Sequence, residues 1–142
     1  MEVEIRDLQT LPVDRPLLQE AAEEAFRIGG GVLDAVSIVI VDDPRIRQIN
    51  RSYRGTDATT DVIAFEAEDE PGQRSGEVIV SADTAARQAQ EYGHSLNTEL
   101  CLLVAHGVLH VLGYEDYDDA ARAKMEQLQE QVLIRLAGRI EE

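Results

Sequence analysis

One cysteine, Cys101, stands among the 142 residues of this chain. A lone thiol excludes an intrachain disulfide and suits a reducing compartment. It lies five positions before His106, about 140° round a helix from that histidine, and reads as a small core residue. No apolar run approaches the roughly 18 residues that would span a bilayer. The opening residues, Met-Glu-Val-Glu-Ile-Arg, lack the basic segment and apolar stretch of an export signal. The expectation is a cytoplasmic protein with no membrane partner. Basic side chains are also scarce: 13 Lys and Arg against 28 Asp and Glu give a formal net charge of -15. Such a balance repels free polyanions and weakens non-specific nucleic-acid binding. The scarcity is uneven, because Arg45, Arg47, Arg51 and Arg54 crowd one short stretch while acids gather at 66–70, at 115–119 and in the last helix. A local basic face can survive on an acidic protein, with an ordinary solvated helix face as the alternative for Arg45 and Arg47.

Repeats, low-complexity tracts and linkers are absent too, so residues 1–142 are expected to form a single domain, long enough to bury about two thirds of its unfolded surface. Val3 and Ile5 alternate with charged residues as in a short strand. Asp14 and Pro16 open a helix with Leu18, Ala21, Ala22, Ala25 and Ile28 on one face, stopped at Gly29-Gly30-Gly31. Val36 to Val41 is continuously β-branched and apolar, as in a strand buried on both sides. Asp42 or Asp43 with Pro44 begins a helix to about Tyr53. Asp61 to Phe65 and Gly76 to Val80 read as an antiparallel pair joined by a hairpin loop from Glu68 to Gln73. Ser81 caps a helix through about Tyr92, before Gly93. Asn97 to Gly113 forms a buried helix, and Asp118 or Asp119 begins a last one striped by Met125, Leu128, Val132 and Leu136. The spacing predicts an α+β fold, four strands in a mixed sheet against about five helices, with strand order unspecified.

Chemistry concentrates in His106-Gly-Val-Leu-His110-Val-Leu-Gly-Tyr-Glu-Asp116. Histidines at i and i+4 share one face of a helix. Two neutral imidazoles there can hold one divalent ion at the end of the buried helix, and Gly113 lets the chain turn a third ligand back. Asp116 is the first candidate for that ligand; Glu115 and Asp118 compete for it. The metalloprotease helix, H-E-x-x-H, carries its general base directly after the first histidine. Here that position is Gly107, so a different metal-assisted chemistry is expected. His94 either lines the cleft or caps a helix end with no metal role. Glu99, seven positions before His106, is placed to hydrogen-bond the site, and Thr60 and Asp61 to fix the loop behind Arg54.

Three segments together resemble the YbeY family of bacterial endoribonucleases. His106 to Asp116 is similar to that family's H-G-x-L-H-L-x-G-Y-D-H. Asn50-Arg-Ser-Tyr53-Arg54 with Thr60-Asp61-Val-Ile-Ala-Phe65 resembles N-x-x-Y-R followed by T-D-V-L-S-F. Gly76 to Ser81 resembles G-D-I-x-I-S. The resemblance implies a metal-dependent endoribonuclease in ribosomal RNA maturation and ribosome quality control, with ribosomal RNA, ribosomal particles and a ribosome-bound protein as partners. It implies Arg54 and His106 as the catalytic residues, and His106, His110 and the residue at 116 as ligands of zinc. The family carries histidine at 116 where this chain has aspartate, and aspartate where it has Glu77 and Glu115. A two-histidine, one-carboxylate set suits zinc but also another divalent transition metal. Arg54 would clamp phosphate; its alternative is a salt bridge to Asp57 or Asp61. Two other functions fit the same residues, an assembly factor with a structural metal and a metal-dependent hydrolase of another substrate.

Overall fold

Each helix begins at a side chain that accepts from the exposed first turn, and these caps set the element boundaries. The computed structural model describes residues 1–67 and 71–140. In it, α1 (Arg15–Gly29) is capped by Asp14, α2 (Asp43–Arg54) by Asp42, α3 (Ala82–Tyr92) by Ser81, α4 (Leu96–Val111) by Ser95 and α5 (Asp119–Leu136) by Asp118. Ser95 displaces the expected Asn97 start by one turn's edge, because its hydroxyl reaches the Thr98 amide at 3.1 Å. The strands are β1 (Glu2–Asp7), β2 (Ala35–Val41), β3 (Val62–Ala67) and β4 (Ser75–Ser81).

They form one sheet in the order β1-β2-β4-β3, with β1, β2 and β4 parallel and β3 antiparallel to β4. The fold is a single-domain α+β arrangement with a mixed four-stranded sheet and five helices. The expected hairpin joins β3 to β4 with Val62 opposite Val80 and Ala67 opposite Ser75; positions 68–70 of its loop lie outside the described residues. No helix among the described residues is long and apolar enough to cross a membrane.

Alternation along the strands divides the core into two layers. Val39, Val41, Ile63 and Ile79 meet Ile46 of α2 on one face. Val36, Ile38, Ile40, Val62, Val78 and Val80 meet the other four helices on the opposite face. There α4 is the central element: Leu100, Cys101, Val104, Ala105, Val108 and Leu109 are fully buried, each large side chain contributing on the order of 1.5–3 kcal/mol of transfer free energy. Burial pushes the Cys101 thiol up to about 12, so it is an inert core residue.

Two glycines let α4 press onto β4. A Cβ at Gly107 would run into the Val78 side chain, and one at Gly76 into Val111. The position after the first histidine is therefore part of the core. No side chain there could reach an ion on the histidine face, which is the structural reason the metalloprotease base is missing.

Candidate metal centre

The C-terminal turns of α4 carry His106 and His110 on one face, and the segment after the helix returns Asp116 to them. The return depends on Gly113, whose φ of 108° is a region that L side chains rarely adopt. It also depends on Tyr114: its amide donates to Leu109 O at 3.0 Å and its hydroxyl to Gly29 O, at the end of α1, at 2.6 Å. Asp116 Oδ2 then lies 3.5 Å from His106 Nε2 and 3.6 Å from His110 Nε2, and the two Nε2 atoms are 2.9 Å apart. Bonds of about 2.0–2.2 Å at tetrahedral angles separate ligand atoms by about 3.4 Å. The three side chains thus form a group that can hold one metal ion, and no fourth His, Cys, Asp or Glu joins it among the described residues.

A ligand histidine must present a lone pair, and His106 is arranged to do so. Gln129 of α5 directs its amide nitrogen to Leu102 O at 3.5 Å, which turns its Oε1 to His106 Nδ1 at 3.1 Å. Nδ1 is then the donor and Nε2 faces the group unprotonated. His110 can carry its proton on Nδ1, 4.0 Å from Glu115 Oε2. Asp118, one of the rivals for third ligand, is committed to the N-terminus of α5, where it accepts from Ala121 N at 2.7 Å.

The group opens onto a cleft of about 440 Å³, lined also by Arg54, Thr60, Asp61 and Glu115. Arg54 ends α2, where Gly55 turns the chain in the left-handed region and Tyr53 stacks on Phe65 of β3 with ring centroids 4.9 Å apart. Asn50, buried in the same helix, donates to Ala58 O at 3.0 Å and holds the following loop against it. The expected alternative for Arg54 does not occur, since Asp57 pairs with Arg47 at 2.8 Å and Arg54 makes no ion pair among the described residues. The Arg47 pair holds the Asp57 carboxyl below its usual range. Asp61 accepts from Val62 N at 2.8 Å, in keeping with a loop-fixing role.

A family model described as "Endoribonuclease YbeY" matches residues 6–137. The chain belongs to the YbeY family. An endoribonuclease YbeY from Moorella thermoacetica is 42% identical over 151 residues, covering 94% of this chain and 96% of its own. One from Pelotomaculum thermopropionicum is 45% identical over 128 residues, covering 84% of each. The solution structure of TM1509 from Thermotoga maritima superposes with a TM-score of 0.64 at 25% identity, covering 96% of this chain and 92% of that one.

Against this YbeY frame, other residues fall differently from expectation. Glu99 is buried, but it bonds His94 Nε2 at 2.6 Å, so neither supports the metal group directly. Burial raises the Glu99 carboxyl above its usual range while the His94 contact opposes the shift. Glu77 alternates with Val78 along β4, opposite Ser37 and Phe65, and so faces away from α4 and its histidines. Gln129 and Asn50 are the positioning residues that sequence reasoning did not single out. Only the Asn-x-x-Tyr-Arg pattern pointed to the second of them.

Proposed function

We propose that this protein is a metal-dependent endoribonuclease acting in ribosomal RNA maturation and ribosome quality control in the cytoplasm, as a single domain over residues 1–142. In this reading His106, His110 and Asp116 hold one zinc ion, and Arg54 and His106 are the catalytic residues. The observation that carries it is the meeting of those four side chains in one cleft. Membership of the YbeY family supports the reaction class.

A phosphodiester transition state gathers charge on its equatorial oxygens, and the guanidinium fork of Arg54, which makes no ion pair among the described residues, matches that charge. Gln129 keeps the His106 ring turned with Nε2 toward the cleft, and Asp116 brings one carboxylate oxygen to 3.5 and 3.6 Å from the two Nε2 atoms. A divalent ion bound there supplies Lewis acidity toward a phosphoryl oxygen and lowers the pKa of water. Three protein ligands with a side open to the cleft favour catalysis over a closed structural site.

With -15 overall, the chain needs its RNA presented, so ribosomal particles or a ribosome-bound protein dock it, with Arg45, Arg47 and Arg51 beside Arg54. Single-turnover cleavage of a defined ribosomal RNA precursor, with and without metal, tests the reading. Asp116→Ala should lose the ion by elemental analysis, while Asp116→His should keep zinc. Arg54→Ala should retain metal and fold yet lose at least about a hundredfold in cleavage. An Arg54 variant that melts much lower and loses its metal, or full metal occupancy in Asp116→Ala, would overturn these assignments.

A further inference from the structure

Beside the metal-bearing cleft lies a second cavity of about 420 Å³, and the two share Asp61, His106 and Asp116. Leu102, Leu103 and Met125 line its apolar side and Tyr92 its outer side. Large aromatic rings are few in this chain, which has no Trp, four Tyr and two Phe. Tyr114 packs against the core, whereas Tyr53, Tyr92 and Tyr117 stand 65%, 65% and 79% exposed. Tyr53 stacks on Phe65 and Tyr117 follows Asp116 in sequence, and Tyr92 is the one of the three on the lining of this cavity. A ring with one apolar face open to water, next to a cleft for phosphate, is a surface on which a base of single-stranded RNA stacks.

The polar atoms of the cavity do not choose between bases. The amide nitrogen of Gln129 is directed to Leu102 O, and that of Gln88 to Asp61 Oδ2 at 3.4 Å. Arg122 is paired with Asp119 at 3.0 Å. Each of these groups keeps hydrogen-bonding capacity, since a guanidinium carries five N–H donors and a primary amide two, so the lining offers donors as well as the carboxylates of Asp61 and Glu126. Polar contacts of both kinds suit any base, uracil with its N3–H included, so the preference among bases falls to stacking strength, which is greater for a purine than for uracil.

We propose that this cavity is a nucleobase subsite, taking the base beside the scissile phosphate, stacked on Tyr92, and preferring adenine to uracil through the larger stacked ring. The inference rests on the endoribonuclease reading for the placement of that phosphate. Because a stacked ring does not displace counterions, its share of affinity is insensitive to salt, unlike that of phosphate contacts. Stacking gives an acidic protein a contact with RNA that does not draw on positive charge.

The test uses a short oligouridylate and the same strand with one central adenosine, each labelled, with binding read by fluorescence anisotropy and cleavage by product mapping. The metal-loaded wild type should bind the adenosine strand several-fold more tightly and cut it at one fixed offset from the adenosine. Tyr92→Ala should weaken that binding about tenfold or more and scatter the cuts, with metal content and melting temperature unchanged. Tyr92→Phe should behave as wild type, since stacking needs no hydroxyl. Equal wild-type affinity for both strands, or a Phe variant as weak as the Ala variant, would overturn the subsite. Tyr92-dependent discrimination in binding by a wild type that cuts neither strand would keep the subsite and sink the endoribonuclease reading.

Discussion

An imidazole is a metal ligand only when its proton is on the other nitrogen, and at His106 that choice is made by one amide. Gln129→Leu removes the acceptor from Nδ1 and leaves the ring free to turn or change tautomer. Metal affinity should fall by about 10–100-fold with little change in melting temperature; competition against a chromophoric chelator measures it, and unchanged affinity would mean that packing alone orients the ring. The grouping of His106, His110 and Asp116 was legible from spacing, because a helix of known pitch puts 106 and 110 together and Gly113 announces the reversal that returns Asp116. Gln129 was not, since it lies 23 positions away on another helix and is one glutamine on a polar face. Glu99 shows the converse error: its spacing suited the site, but a histidine five positions earlier captured it at 2.6 Å.

Among elements, the same contrast holds between local and distant information. Asp14, Asp42, Ser81 and Asp118 cap helices as expected because a cap needs only the next three residues. The strand order was not legible, since insertion of β4 between β2 and β3 is decided by which faces α2 and α4 cover. The closeness of α4 to β4 was equally hidden, although Gly107 and Gly76 were its trace. Gly107→Ala should destabilise by about 1–3 kcal/mol through overpacking. Adding Val78→Ala should return part of the loss, so urea unfolding of the double-mutant cycle reads a favourable coupling; strict additivity would argue against direct contact.

The sheet is also joined to α2 through Asp43, which accepts from Ser81 and Thr84 hydroxyls at 2.6 and 2.7 Å and pairs with Arg87 at 2.8 Å. Burial alone would raise the Asp43 carboxyl, but these partners hold it below its ordinary value of 3.8. The folded state thus binds that proton less readily than the unfolded chain. Its stabilisation is complete above the unfolded pKa and is lost as pH falls through the lower folded one. Asp43→Asn should flatten the acid limb of stability below about pH 4 in pH-dependent urea melts, and an unchanged limb would remove Asp43 from that role.

At the scale of the whole molecule, charge and its placement disagree. Arg45, Arg47 and Arg51 line an open cavity of about 660 Å³ on α2 together with Asp42, Asp43 and Asp57, and Asp57 partly neutralises Arg47. Neutralising Arg45, Arg47 and Arg51 should slow cleavage within a ribosomal particle more than cleavage of the same RNA free in solution, and the gap should narrow as salt rises. Equal rates on both substrates at all salt concentrations would refute docking through this face. The Tyr114 hydroxyl, seated on the Gly29 carbonyl 85 positions away in sequence, has a different reach. An ion that binds only when Asp116 has been returned is thermodynamically linked to the docking of the end of α1, a helix that contributes no ligand. Under the proposed metal reading, loading the ion raises the free energy of opening that distant segment by mass action, and limited proteolysis within the first quarter of the chain should be slower with metal than without it.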